Sequence, residues 1–380
     1  MRDARLDKLA QVLVRYSTRV QPGELVLLQG DPVALPLLEA IYDELLRAGA
    51  HVRLNCQPGH FQEAFYALAN DAQLQYVSPL ALHEMQTVTA RIALWAETNT
   101  RALSNVDPRR QRLASAARQP IMKVFLDRAA RGELKWVGTL FPTAASAQDA
   151  EMGLREYEDF VFRAGYLHLA DPVAEWRRLH ACQQRLTDYL NGKQTVRFQT
   201  PQGTDLTVTV GGMKWINCCG TENFPDGEVF TGPDLAAADG GVNGVVRFSF
   251  PAVHHGHEAD GVELTFERGR VVRATARKGE EFLRAMLAQD DGASRLGEIA
   301  IGTNYQVQRF TRNTLFDEKI GGTFHAAVGS GYPETGNSNE SGLHWDMVCD
   351  LRQGGTITVD GVVIAENGRF RDPTFPAPAA

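Results

Sequence analysis

Glu298 stands in "RLGEIAIGTN", flanked by Leu296-Gly297 and Ile299-Ala300-Ile301. A carboxylate in so apolar a run is costly to bury alone, so it calls for a cation or for several hydrogen-bond donors. Further along, "LHWDMV" reads as a strand whose period of two puts His344 and Asp346 on one face and Leu343, Trp345 and Met347 on the other. One imidazole nitrogen and one carboxylate then point into the same space about 7 Å apart along the strand, which suits one metal ion or two adjacent ones. The ordinary alternative for a lone His-x-Asp is a hydrogen-bonded structural pair. His325 in "GGTFHAAVG" sits among small residues that leave room for an ion, and Glu228 opens the strand-like "EVFT" of "NFPDGEVFTGP" after a Pro-Asp-Gly turn. A Glu beside a turn is by itself usually solvated.

Charge bears on what these five residues hold if they converge. Glu228, Glu298 and Asp346 bring three negative charges, and His325 and His344 are neutral as ligands. One divalent cation leaves the group at net −1, whereas two leave it at +1 with room for a bound hydroxide. That count favours a two-metal hydrolytic site, although spacing does not show convergence. A competing group is "PAVHHGHEAD", with His254, His255 and His257. Gly256 and the following Glu258-Ala259-Asp260-Gly261 make it read as an exposed turn with solvated histidines. His51, His60 and His83 are isolated, and no Gly-x-Ser-x-Gly elbow occurs, since Ser330 in "GSGYP" lacks the strand-to-helix setting of that motif.

The elements that must position these residues fall into two halves. From Leu6 to about Leu140, apolar strand-like runs ("ELVLLQG", "HVRLNC", "ARIALWAE", "LKWVGTLF") alternate with amphipathic helical sequence, the pattern of a parallel sheet covered by helices. Two further helices follow, in "EMGLREYEDFVFRAGYL" and in "DPVAEWRRLHACQQRLTDYLNGK", the second N-capped by Asp171 and closing at Gly192. Beyond Gly192 the pattern turns to period two, with turn signals at Gly269, Asp360-Gly361 and Asn367-Gly368 and one helix near Glu280 to Gln289. The expectation is an α/β N-terminal domain (1–192) and a mainly antiparallel β (α+β) C-terminal domain (193–380) that carries the site.

The 380 residues are 43% hydrophobic and 22% charged, enough for a sizeable core. A net charge of −7 excludes a general nucleic-acid binder, which needs a concentrated basic surface. No run approaches the ~18 apolar residues of a membrane span. Five irregularly spaced cysteines do not make a disulfide framework, and the charged, amphipathic start lacks the apolar core of a signal peptide, so a reducing cytoplasm is expected.

Taken in order, "NFPDGEVFTGP", "LGEIAIGTN" and "DEKIGGTFHAAVGSGYPETGNSNESGLHWDMV", with "WVGTLFPTAASAQDAEMGLREYEDF" in the first half, resemble the thermophilic-type metalloaminopeptidases of the aminopeptidase T and aminopeptidase S family, M29. The resemblance implies a metal-dependent aminopeptidase acting on peptides with a free N-terminus. Its ions would be two divalent metals (zinc, cobalt or manganese) on Glu228, Glu298, His325, His344 and Asp346, with Glu298 bridging them. It further implies an active-site tyrosine at Tyr332, a homodimer and an enclosed cavity. The twelve residues from Tyr332 to His344 are fewer than in some relatives. A similar scaffold occurs in ring-cleaving dioxygenases of dihydroxypyridines, whose single ferrous ion would here fall to His325, His344 and Asp346.

Overall fold

The computed structural model describes residues 2–254 and 256–378. The chain forms two compact units: residues up to Ala174 with Gly220–Phe224, and Glu175–Cys219 with everything from Pro225 onward. Relative to a division at 192, the long helix Pro172–Leu190 falls largely in the second unit, and a five-residue segment returns to the first.

The first unit is built on a five-stranded parallel sheet in the order His51–Cys56, Leu25–Gly30, Ala90–Trp95, Lys135–Leu140, Asn223–Phe224. The four apolar runs of the first half supply its four long strands, and the intervening amphipathic segments form helices such as Leu35–Arg47 and Pro79–Thr87. Val26, Leu27, Leu28, Ile92 and Val137 are fully buried, as expected for a sheet covered by helices.

The second unit is antiparallel. An eight-stranded sheet runs in the order Arg270–Thr275, Glu263–Glu267, Val242–Arg247, Asp205–Thr209, Thr195–Gln199, Thr356–Val359, Val362–Glu366, Arg369–Phe370. Its hairpins turn where the sequence signals them: Asp360-Gly361 and Asn367-Gly368 both have φ > 0 at each central residue, the requirement of a two-residue hairpin loop. Asp171 caps the long helix by accepting the Ala174 N–H at 2.9 Å, and the helix near residue 280 spans Glu280–Leu287.

The sheet that matters for chemistry has five strands, in the order His344–Asp350, Thr323–Gly329, Leu296–Gly302, Glu228–Thr231, Ile216–Cys218. One face joins the main core: Phe324, Ala326 and Val328, then Trp345, Met347 and Cys349, with Val229, Ile299 and Ile301. Phe198 of the larger sheet stacks on Phe324 with ring centroids 4.0 Å apart. Period two therefore sends His325, Ala327, His344, Asp346 and Glu228 to the opposite face.

Glu298 needs one more device. Under strict alternation it would share a face with Leu296, yet Leu296 is in the core. The register shows why: Leu296 pairs with Val328 while Glu298 pairs with the next residue, Ala327, so Gly297 is the extra residue of a β-bulge. A Cβ on Gly297 would lie 2.4 Å from the Gly329 carbonyl oxygen and 2.3 Å from that of Ser330. Only glycine admits that approach. Forcing these groups apart costs about 1–3 kcal/mol, so Gly297→Ala is expected to unfold at a lower temperature than the parent in a thermal scan. Equal midpoints would show that the bulge tolerates a side chain.

Candidate metal centre

Each candidate side chain is aimed by its backbone. Glu228 begins its strand where Gln183, buried in the long helix, donates through Nε2 to the carbonyls of Glu228 (2.8 Å) and Cys218 (2.9 Å). Thr303 Oγ1 in turn donates to Gln183 Oε1 at 3.0 Å, so the amide is held on both sides. His325 sits in the middle of the adjacent hairpin strands, with Ala300 opposite on one side and Val348 on the other. His344 Nδ1 lies 2.8 Å from the Ser330 carbonyl, which makes it an N–H donor and leaves Nε2 as the nitrogen that faces the site. The loop before it is fastened internally: Asn339 Nδ2 donates to the Gly292 and Gly329 carbonyls, and Asn337 Nδ2 to that of Pro233. Within the polar loop Thr335, Asn337 and Asn339 are thus buried and hydrogen-bonded, while the residues between them are exposed.

The five predicted residues come together. Glu298 Oε1 faces His325 Nε2 at 3.6 Å and Glu298 Oε2 faces His344 Nε2 at 3.4 Å. His325 Nε2 is also 3.5 Å from Glu228 Oε2, and His344 Nε2 is 3.4 Å from Asp346 Oδ2. All four separations exceed the about 2.7–3.2 Å of a good hydrogen bond. They match the ~3.3 Å edge of a tetrahedron of N and O donors around an ion with bonds near 2.0–2.1 Å. Glu228 Oε2 and Asp346 Oδ1 are buried without a hydrogen-bond partner, a costly state for carboxylate oxygens that a cation relieves. The residues present fit divalent ions.

The electrostatics follow from burial among like charges. Burial favours neutral His325, but the Glu298, Glu228 and Glu318 carboxylates outweigh it and raise its pKa to about 9. Burial acts the same way on His344, where Asp346 and Glu298 raise the pKa to about 11. Burial alone would raise Asp346; the His344 contact holds it below the usual carboxylate range. Glu228 is pushed up by burial; burial acts the same way on Glu298, but the neighbouring His325 and His344 imidazoles outweigh it and hold it below its ordinary value. Tyr332 packs edge-on against His344 and Phe230, each at 5.2 Å between centroids, and burial followed by the site carboxylates raises its phenol, which stays protonated.

Two residues escaped the sequence reading. Among the described residues, the donor atoms that can hold a metal form two groups, Glu298 with His344 and Asp346, and Glu228 with His325 and Glu318. Lys319, fully buried, donates through Nζ to Glu228 Oε1 at 2.6 Å and to Glu318 Oε2 at 2.8 Å. The segment "FDEKIGG" looks like ordinary surface charge, and only its burial marks it.

The competing histidines sit elsewhere. His254 and His257 face each other across the short hairpin Ala252–His254/His257–Ala259. They are not simply loop residues: the His254 ring packs against Trp345 at 5.5 Å and that of His257 against Phe282 at 4.7 Å. His255 lies outside the described residues.

Small residues floor the centre. Ala327 pairs with Glu298 on one side and Asp346 on the other, and is fully buried. Ala327→Leu, which removes no donor, is expected to fill this space and lower bound metal at least tenfold by elemental analysis of the folded protein. Full metal content would place the ions away from Ala327.

Comparison with known proteins points to a metal-dependent peptidase. The model of the thermophilic metalloprotease (M29) family matches residues 2–370. Aminopeptidase 2 of Geobacillus stearothermophilus is 29% identical, covering 97% of this chain and 96% of that protein. The structure of wild-type AmpT from Thermus thermophilus superposes with a TM-score of 0.83 at 26% identity, covering 97% of this chain and 99% of that one. A 2,5-dihydroxypyridine dioxygenase from Pseudomonas putida KT2440 superposes at 0.58 with 14% identity, covering 97% of each chain, and shares the fold alone. With the match spanning nearly its whole length, the chain belongs to the M29 family of thermophilic metalloproteases.

Proposed function

We propose that this metallopeptidase removes the first residue of peptides with a free α-amino group, using two divalent ions bridged by Glu298. The observation that carries the reading is the division of Glu298 between two histidines, Oε1 toward His325 and Oε2 toward His344, each with a further carboxylate beside it. Imidazole and carboxylate donors without thiolate suit zinc, cobalt or manganese. Bound there, such ions would lower the pKa of a coordinated water and polarise the scissile carbonyl.

The chain's own groups do the rest. Glu298, at the centre, is the proton acceptor for the attacking water where one of its oxygens is not engaged as a ligand. The protonated phenol of Tyr332, against His344 at the site's edge, donates a hydrogen bond to the developing oxyanion. The relatives named aminopeptidases support cleavage at the N-terminus. A homodimer and a reducing cytoplasm, where five free thiols persist, belong to the same proposal.

Elemental analysis and titration of chelated protein are expected to give two ions per chain; one iron, with oxygen uptake on a dihydroxypyridine, would instead support the dioxygenase reading of the shared fold. Since metal-free His325 and His344 carry protons at neutral pH and must lose them to bind, loading expels protons. Affinity therefore rises with pH, with two protons displaced below about 9 and one between about 9 and about 11, and calorimetry in buffers of different ionisation enthalpy reads the release. Tyr332→Phe is expected to lose turnover about 10²–10³-fold while keeping both ions; an unchanged rate removes Tyr332 from the mechanism.

A further inference from the structure

The eight-stranded sheet ends on one side at the strand Arg270–Thr275, with no further strand beyond it. Its outer edge is satisfied at both ends: the Val271 N–H donates to the Ser294 carbonyl at 2.8 Å, and the Ala276 N–H donates to Glu280 Oε2 at 3.0 Å. Between them the edge is open. On the neighbouring strand the Phe248 N–H donates to the Val262 carbonyl, so alternation turns Leu264 toward Val242–Arg247, and Glu263 and Thr265 toward the edge strand. Their partners Thr275 and Arg273 therefore face inward, and the Ala274 N–H and C=O between them face out. Val272, 54% exposed, is the extra residue of a bulge, which is why Val271 faces outward as well. Among the described residues, no hydrogen bond from outside the sheet reaches this edge between Val272 and Thr275.

That opening is one wall of a groove. A shallow cavity of about 330 Å³ lies between the strand and the helix Glu280–Leu287, with Val271, Ala274, Leu287 and Ala288 as its apolar lining. An open strand edge beside an apolar trough is the arrangement that takes up an extended peptide as an added strand, the main chain supplying hydrogen bonds and alternate side chains filling the trough. Charge narrows the occupant. Among the described residues the groove is lined by two cations, Arg273 and Arg284, and by no carboxylate. Arg284 pairs with Glu280 at 2.8 Å, whereas the exposed Arg273 guanidinium has no ion pair or hydrogen bond among the described residues. In a chain of net charge −7 this basic groove favours a segment of opposite sign. None of its lining residues belongs to the metal centre.

We infer that this edge docks an extended, acidic peptide segment, which adds as a strand beside Arg270–Thr275 through the Ala274 N–H and C=O and sets a carboxylate against Arg273. The test is fluorescence anisotropy on the purified full chain with an octapeptide of alternating valine and glutamate, labelled with fluorescein at its C-terminus and acetylated at its N-terminus so that an aminopeptidase does not cleave it. Saturable binding is expected, and the same peptide with lysine for glutamate is expected to bind at least tenfold more weakly. Arg273→Glu, a change to an exposed side chain, is expected to weaken binding at least tenfold. Ala274→Pro removes the outward N–H at a position where an edge strand admits proline, and is expected to weaken it as much. No saturable binding to wild type at millimolar peptide overturns the inference, as does equal binding of the lysine peptide, or full affinity in folded Arg273→Glu or Ala274→Pro. A second copy of the chain is the competing occupant: a mass in light scattering that doubles with concentration in wild type but not in Arg273→Glu, with no peptide bound, overturns the inference in its favour. If Ala274→Pro does not fold, Arg273→Glu and the lysine peptide decide.

Discussion

Four carboxylates, Glu228, Glu298, Glu318 and Asp346, crowd one face of a five-stranded sheet whose other face is the hydrophobic core. Their mutual repulsion, away from bulk water, is the constraint on which the rest of the second unit depends. The chain answers part of it with Lys319 and raises the affinity of both histidines for protons. Divalent cations would complete the compensation more fully than protons do, because each would meet several oxygens at once. A protein whose resting electrostatics are already those of a cation site has little to rearrange when the cations arrive.

The aim of these groups is set by backbone rather than by side-chain packing. The Gly297 bulge does two things. It rotates Glu298 off the core face, and it admits the Ser330 carbonyl, whose oxygen is the acceptor that fixes the His344 tautomer. The central carboxylate and one imidazole are therefore oriented by the same missing side chain. Gln183 performs a comparable service for Glu228 by gripping its carbonyl from the long helix.

Much of this was legible in the sequence, and the illegible part has physical reasons. Alternation in "LHWDMV" and the apolar frame of Glu298 are local patterns, so His344, Asp346 and Glu298 stood out, and His325 was marked by the small residues around it. Period-two reasoning would place Leu296 and Glu298 on one face, because a bulge leaves no mark in one sequence beyond a glycine. Glu318 and Lys319 were missed because an adjacent acid and base look the same whether solvated or buried. The turn of the His254 and His257 hairpin is exposed at Gly256 and His257 as the sequence suggests, whereas the aromatic neighbours of the two rings, Trp345 and Phe282, are far off in sequence and left no local mark. The division of the chain at 192 followed a change of periodicity, whereas a helix is assigned to a unit by what it packs on.

Strand register gives the donors a second effect. The His325 strand pairs on both edges, and every second residue of it faces apolar core. A slip by one residue would drive His325 into that core, and the same slip in its neighbours would bury Glu298 or Asp346 there without partners, at a cost of several kcal/mol each. Alanine-rich strands such as "TFHAAVG" have little side-chain shape with which to distinguish one pairing from the next. The groups that gather the ions thus also act as proofreaders of the sheet, excluding every misaligned assembly of the chain before any metal is bound.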